Sequence, residues 1–289
     1  MGVVNMGSIK FSDSGLELPF FVLQTTKKDG NMSNSKLFYP EGIPESQIEQ
    51  LFQGRAIAVC NKYGIKGMFK TLQKPWAGNV RVVDDELCSH ISDERKCVSV
   101  EEQALIITDN YPKYVIGHAV ADCPVAMVFD SSRGIIATAH CSGLQVNNGI
   151  IDLLVNEICK FGGSSQQDLL AYVSMGAGPD WTYDCYPRWA NHSEVWNPTS
   201  DNQFITEDKD GTFKIDIKSA ISYQLEKAKL DKSNILVSEE NTIGLNSEYY
   251  SNHDRRLLGE EPGLNFAGAG FALKGFQEQP KSKTLTYRK

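Results

Sequence analysis

Cys123 and His140 are the pair in this sequence best placed to do chemistry together. They belong to the stretch YVIGHAVADCPVAMVFDSSRGIIATAH, residues 114–140. Three short apolar runs, divided by the polar knot Ala121-Asp122-Cys123-Pro124 and an acidic turn, predict three strands. A cysteine just ahead of one strand and a histidine ending another can converge across 17 residues, because rigid elements hold reactive side chains better than loops do. A thiolate and an imidazole suit zinc, which keeps an open position to polarise a substrate or activate water. The same pair can act as a nucleophile and its base in a hydrolase or amidase. The plainest alternative makes Cys123 a small buried hydrophobe and His140 a core histidine. Further along, SEYYSNHDRR at 247–256 gathers His253, Arg255 and Arg256, groups that bind anions or rings.

The elements that must position these residues are read from periodicity. Phe20–Thr26 is a buried strand, and the Asp29-Gly30 pair marks the loop after it. From Pro44, apolar residues Ile48, Leu51, Phe52, Ala56, Val59 and Cys60 recur at helical spacing until Tyr63-Gly64. Strands are expected around Met68–Gln73 and Val80–Val83, and 84–100 reads as a polar loop. Its Cys88, His90 and Cys97 do not follow a structural zinc spacing. Four strand-sized runs from residue 103 to 140 require cover on both faces of a sheet, or two sheets packed together. Gly149–Phe161 supplies a covering helix with a stripe of Ile150, Leu153, Leu154, Ile158 and Phe161, stopped by Gly162-Gly163. LAYVSM at 170–175 runs into Gly176-Ala177-Gly178, whose amides could hold an anion. Residues 180–211 read as an aromatic loop packed on the body as a pocket wall, with Trp181, Tyr183, Tyr186, Trp189 and Trp196. A strand at 212–217, a helix over Ser219–Leu230, and strands at 234–238 and 264–273 follow.

Composition narrows the partners. A net charge of -7 without a local basic patch disfavours nucleic acid. Seven cysteines, odd in number and without CxxC, argue against a disulfide framework and for a reducing compartment. The amino terminus carries no signal-peptide pattern, and Met1-Gly2 lacks the rest of a myristoylation context. No apolar run reaches the length of a membrane span. The expectation is a cytoplasmic protein, monomer or homodimer, without a membrane partner. No repeat or linker appears, so one domain is the simpler account.

The run VADCPVAMVFDSSRGIIATAHCSG resembles the YfiH family, also called the laccase-domain or multicopper polyphenol oxidoreductase family. The family's hallmark is a TADC-x-P-V segment, an acidic turn and AAHAGWRG. FVLQTTKKDGNMS resembles its early strand and TRxGGxS loop, VSMGAGP its IGPAIGP, and EENTIGLNSEYYSNHDRR its late CT…FFSYRR segment. The resemblance implies an α+β fold in which mixed β-sheets pack between helices, forming a single domain over 1–275 with a flexible tail at 276–289. It implies a zinc-dependent purine nucleoside phosphorylase acting on adenosine or inosine with phosphate, with associated adenosine deaminase activity. Its metal site is built from a histidine, the cysteine at Cys123 and the histidine at His140.

The chain departs from that pattern. The QVHG motif holding the first ligand is matched by Leu72-Gln73-Lys74-Pro75-Trp76, without a histidine. WRG becomes Leu144-Gln145-Val146, and CT becomes Asn241-Thr242. His118 is the nearest substitute ligand, brought round by a bend at Val120-Ala121, with His90 behind it. In phosphorolysis Arg256 or Arg255 would hold phosphate, with His253 beside them, the 183–196 aromatics would stack the base, and Asp122 would orient a ligand. The departures keep two other readings open, a Cys-His hydrolase and a nucleoside-binding protein without turnover. Copper-dependent polyphenol oxidation stands last, because five histidines are too few for a blue-copper centre plus an oxygen-reducing cluster.

Overall fold

The structure, a computed structural model, describes residues 5–10, 20–72, 78–179, 181–190, 194–197, 201–244, 247–271 and 285–286. The Gln73–Trp76 part of the match to the family's first ligand, and the tail apart from 285–286, lie outside these residues.

Two sheets stacked face to face carry the fold. One has seven strands in the order Leu285–Thr286, Asn5–Lys10, Phe20–Gln24, Asn265–Phe271, Tyr114–Val120, Gly67–Thr71, Cys97–Val100. The other has six, in the order Ile235–Val237, Leu170–Val173, Val125–Asp130, Ile135–His140, Ala104–Thr108, Val80–Val82. Each mixes parallel and antiparallel pairs. The strands read as unbroken apolar runs because both of their faces are covered. Phe20, Ile116 and Ala267 of the first sheet meet Val125, Met127, Phe129 and Ile136 of the second in the central layer. The Phe20 and Phe129 rings lie 5.0 Å apart within it.

The outer faces are covered by helices. Glu45–Tyr63 lies over the seven-stranded sheet with Phe52, Ala56, Val59 and Cys60 buried, and ends where Gly64 takes a left-handed φ of 66° and its amide bonds the Cys60 carbonyl. Leu51, expected on the buried stripe, is exposed, and Gln53 is buried instead, bonded to the Cys97 carbonyl at 2.8 Å. Ile150–Gly162 and Ile217–Lys227 cover the six-stranded sheet. The apolar stripe of Ile150–Gly162 is rotated from the expected one: Ile151 and Val155 are buried, whereas Phe161 is 47% exposed. Architecture is therefore α+β, with mixed sheets packed between helices, as the sequence implied.

Two stretches differ from their reading as loops. Residues 84–100 contain a short helix, Asp85–Ser89, capped by the Asp84 side chain on the Leu87 amide, and the edge strand Cys97–Val100. Polarity masked them, because the helix is surface-facing and the strand is only four residues long. Cys97 packs under the long helix while Cys88 packs against the central layer, so the two thiols face opposite sides of one sheet. The aromatic stretch contributes two strands, Trp181–Tyr183 and Ile205–Glu207, which flank the expected strand Phe213–Ile215 in a three-stranded antiparallel sheet. It joins the core beside Ile150–Gly162, burying Trp181 and Trp196.

Candidate functional site

Strand register brings Cys123 and His140 to one pocket. Val125 pairs directly with His140, and the Cys141 amide bonds the Pro124 carbonyl at 2.9 Å, so the ladder runs on to the residue beside Cys123. Both side chains line a pocket of about 310 Å³. Its opposite wall is aromatic, with Phe38, Trp181, Tyr183 and Trp189.

Gly176 lets this corner close. A β-carbon there would come within 2.5 Å of the Pro124 ring, so only glycine allows the turn to press against the Cys123 segment. The 176–178 amides do not form an anion cradle, which corrects that expectation. The Ala177 amide donates to the Asp122 carbonyl at 2.6 Å, and the Gly178 amide to Asn241 Oδ1 at 2.8 Å.

Electrostatics follow from burial. The His140 imidazole is pushed down to about 4 by burial, so it is neutral at physiological pH. Its Nδ1 is buried without a hydrogen-bond partner among the described residues. Burial, reinforced by the Asp122 charge and then by Cys141, drives the Cys123 thiol up and keeps it protonated. Tyr183 is pushed up to about 12, first by burial and then by Cys123.

His118 is one layer inward. Its ring stacks on His140 with centroids 6.4 Å apart, and it is not among the pocket-lining residues. Nδ1 meets the Thr71 hydroxyl at 2.7 Å and Nε2 the Thr138 hydroxyl at 3.1 Å. Burial lowers its pKa to about 3, with the His140 charge adding to the effect. Both histidines thus bind protons more readily in the unfolded chain. Stability is fully present above the unfolded value near 6.5 and falls as pH drops toward about 4. Asp122, held above its usual value mainly by burial, acts in the opposite direction in the lower part of that range. A lower urea midpoint at pH 5 than at pH 7, with a shallower difference in His118→Phe, is the expected result.

The late segment reaches the site too. His253 and Arg256 line a second cavity of about 100 Å³, which shares Asp122, Trp181, Tyr183 and Asn252 with the first. His253 Nε2 lies 3.3 Å from the Thr182 hydroxyl and Nδ1 3.2 Å from Asp254 Oδ1. Arg255 instead turns over the Phe38 ring, 5.9 Å from its centroid. Asp184 brings an opposing carboxylate to the second cavity.

The donor set for zinc is partial. A cysteine thiol and His140 Nδ1, which is left without a partner, are donor types that zinc takes, but the described residues contain no group of three His, Cys, Asp or Glu that could hold a metal ion. His118 would have to give up two hydroxyl contacts to take part.

Sequence reasoning missed Phe38, Ser142, Gly143 and Leu264 as pocket residues. One signal was present: Gly143 follows the strand ending at His140, where a small residue permits close approach. A β-carbon at Gly143 would lie 2.6 Å from the Trp189 ring, so the indole rests on the bare backbone. Gly143→Ala is expected to displace the Trp189 ring and destabilise the protein by about 1–3 kcal/mol, read by urea denaturation followed through tryptophan fluorescence.

Comparison with known proteins agrees with this architecture. The family described as "Multi-copper polyphenol oxidoreductase laccase" matches residues 58–263. "Adenosine deaminase RL5", from an unknown prokaryotic organism, is 24% identical over 192 residues, covering 65% of this chain and 70% of that protein. The crystal structure of YlmD from Geobacillus stearothermophilus superposes with a TM-score of 0.70 at 16% identity, covering 88% of this chain and 93% of that one. The Bacillus licheniformis hypothetical protein YfiH gives a TM-score of 0.68 at 17% identity, covering 87% and 92%. At these identities the two structures establish a shared fold.

Proposed function

The chain belongs to the multi-copper polyphenol oxidoreductase laccase family, and from that premise we propose that it is a purine nucleoside phosphorylase acting on adenosine or inosine. The observation that carries this reading is the pair of adjoining cavities. The larger, walled by aromatic rings and floored by Cys123 and His140, suits a purine nucleoside. The smaller, with Arg256 and His253, suits phosphate beside it.

A phosphate oxygen attacks the anomeric carbon of the ribose while the bond from that carbon to the purine nitrogen breaks. The bonding electrons leave with the purine, which takes up a proton, and the sugar is released as its 1-phosphate. Arg256 holds the phosphate. Cys123 and Tyr183, both kept protonated, are the hydrogen-bond donors on the side of the leaving base. Neutral His140 accepts a hydrogen bond from a ribose hydroxyl. Zinc, were it bound, would be held by His140 and by Cys123 as a thiolate, and would supply an electrophile in place of the thiol donor.

Burial holds the Cys123 thiol protonated and no cation among the described residues offsets it, which argues against the hydrolase reading, because thiol nucleophiles need an electropositive setting. Hydrolytic deamination of adenosine is the second reading, favoured by the name of the relative that matches 65% of this chain. The test incubates untagged protein, before and after zinc addition, with adenosine or inosine, with and without phosphate. Free base formed only with phosphate supports phosphorolysis. Inosine formed from adenosine without phosphate supports deamination. Binding by calorimetry with no product in any arm makes the chain a nucleoside-binding protein.

A further inference from the structure

Asp122 sits where the two cavities meet and lines both. It is buried, 5% exposed, and no ion pair to its carboxylate is found among the described residues. Burying a carboxylate without a counter-charge is unfavourable unless neutral donors satisfy it. Here they converge from two distant segments. The Thr242 hydroxyl donates to Oδ1 at 2.9 Å, and the His253 amide donates to Oδ2 at 2.9 Å. The Ser251 hydroxyl and the Asn252 amide are turned on the same carboxylate.

Those donors belong to the parts that carry the second cavity. His253 lies in the first turn of the helix Asn252–Leu258, which bears Arg256. Thr242 follows Asn241, whose side chain receives the Gly178 amide, and the Thr242 amide bonds the Gly176 carbonyl at 3.1 Å. The Gly244 amide donates to Asp254 Oδ2 at 2.8 Å, tying the 241–244 segment to the same helix. Asp122 thus joins the bend that carries Cys123, the 241–244 segment and the helix at a single point.

We infer that Asp122 is a positioning residue, which fixes the helix Asn252–Leu258 against the bend that carries Cys123 and so sets the separation between the occupants of the two cavities. The inference rests on the phosphorylase reading for its kinetic consequence, though not for its structural one. An in-line displacement tolerates little error in that separation, so loosening the joint costs phosphate capture more than purine binding.

The test uses Asp122→Asn, which keeps shape but replaces one acceptor with a donor, and the milder pair Thr242→Val and Thr242→Ser. Expected for Asp122→Asn is a KM for phosphate raised about tenfold, with the nucleoside KM within roughly twofold. Thr242→Val should shift the phosphate KM in the same direction and Thr242→Ser should restore it, since the hydroxyl returns. Independently of any activity, amide exchange over residues 252–258 should accelerate about tenfold in Asp122→Asn and Thr242→Val, while residues 150–162 stay unchanged. An unchanged phosphate KM in folded variants overturns the inference, as does unchanged exchange over 252–258. If the unmodified protein shows no phosphate-dependent cleavage, the functional reading fails and the exchange result alone decides.

Discussion

Replacing His140 with alanine is expected to lower phosphate-dependent cleavage of inosine by about 100-fold or more, the usual scale for losing one positioned polar group in a reaction site. Cys123→Ala should fall in the same range, because it removes the thiol proposed as donor to the leaving base. The control is Cys185→Ser, since Cys185 is an exposed thiol outside the pocket lining. Initial rates from chromatographic separation of base and nucleoside check all three, with circular dichroism to confirm folding. Full activity in His140→Ala would remove the pocket from the reaction. Because His140 is already neutral well above pH 5, the rate should not rise through its titration between pH 6 and 8. A steep change there would point to another group.

The largest stability effect is expected in the central layer. Phe129 is fully buried between the sheets, against Phe20, and Phe129→Ala should cost about 3–5 kcal/mol, the transfer loss plus the cavity it leaves. Phe161→Ala, by contrast, should change stability by less than about 0.5 kcal/mol, since that ring lies on the exposed side of its helix. Urea denaturation of both variants, with a common slope, measures the contrast. A large loss at Phe161 would restore the helix face read from periodicity.

That contrast also shows what the sequence carried and what it did not. The four strands between Ala104 and His140 were legible because each is a short apolar run cut by turn residues. The helix after Gly149 was legible as an element, but its face was not. With Ile150, Ile151, Leu153, Leu154, Val155, Ile158 and Phe161 all apolar, several stripes fit, and only the neighbouring Ile217–Lys227 helix and the sheet select one. The convergence of Cys123 with His140 follows from strand register, which the hairpin pattern implies. The arrival of His253 and Arg256 was expected from the family resemblance and not from register, because it depends on Asp122 accepting an amide 131 positions away. Phe213–Ile215 was legible within the strand read at 212–217, whereas Trp181–Tyr183 and Ile205–Glu207 were hidden by their length: three-residue strands show no alternation to read.

The seven-stranded sheet has a consequence for how the chain is made. Asn265–Phe271 is inserted between Phe20–Gln24 and Tyr114–Val120, so strands from the first half are joined only through a strand near the carboxyl end. During synthesis those two strands emerge early and must wait, each with an unpaired edge, for more than half the chain to follow. Sheets closed by such distant pairings fold slowly and expose aggregation-prone edges meanwhile. Nascent chains stalled before residue 265 should therefore bind holdase chaperones and remain open to protease, and release of Asn265–Phe271 should be the event that joins the two parts of this sheet.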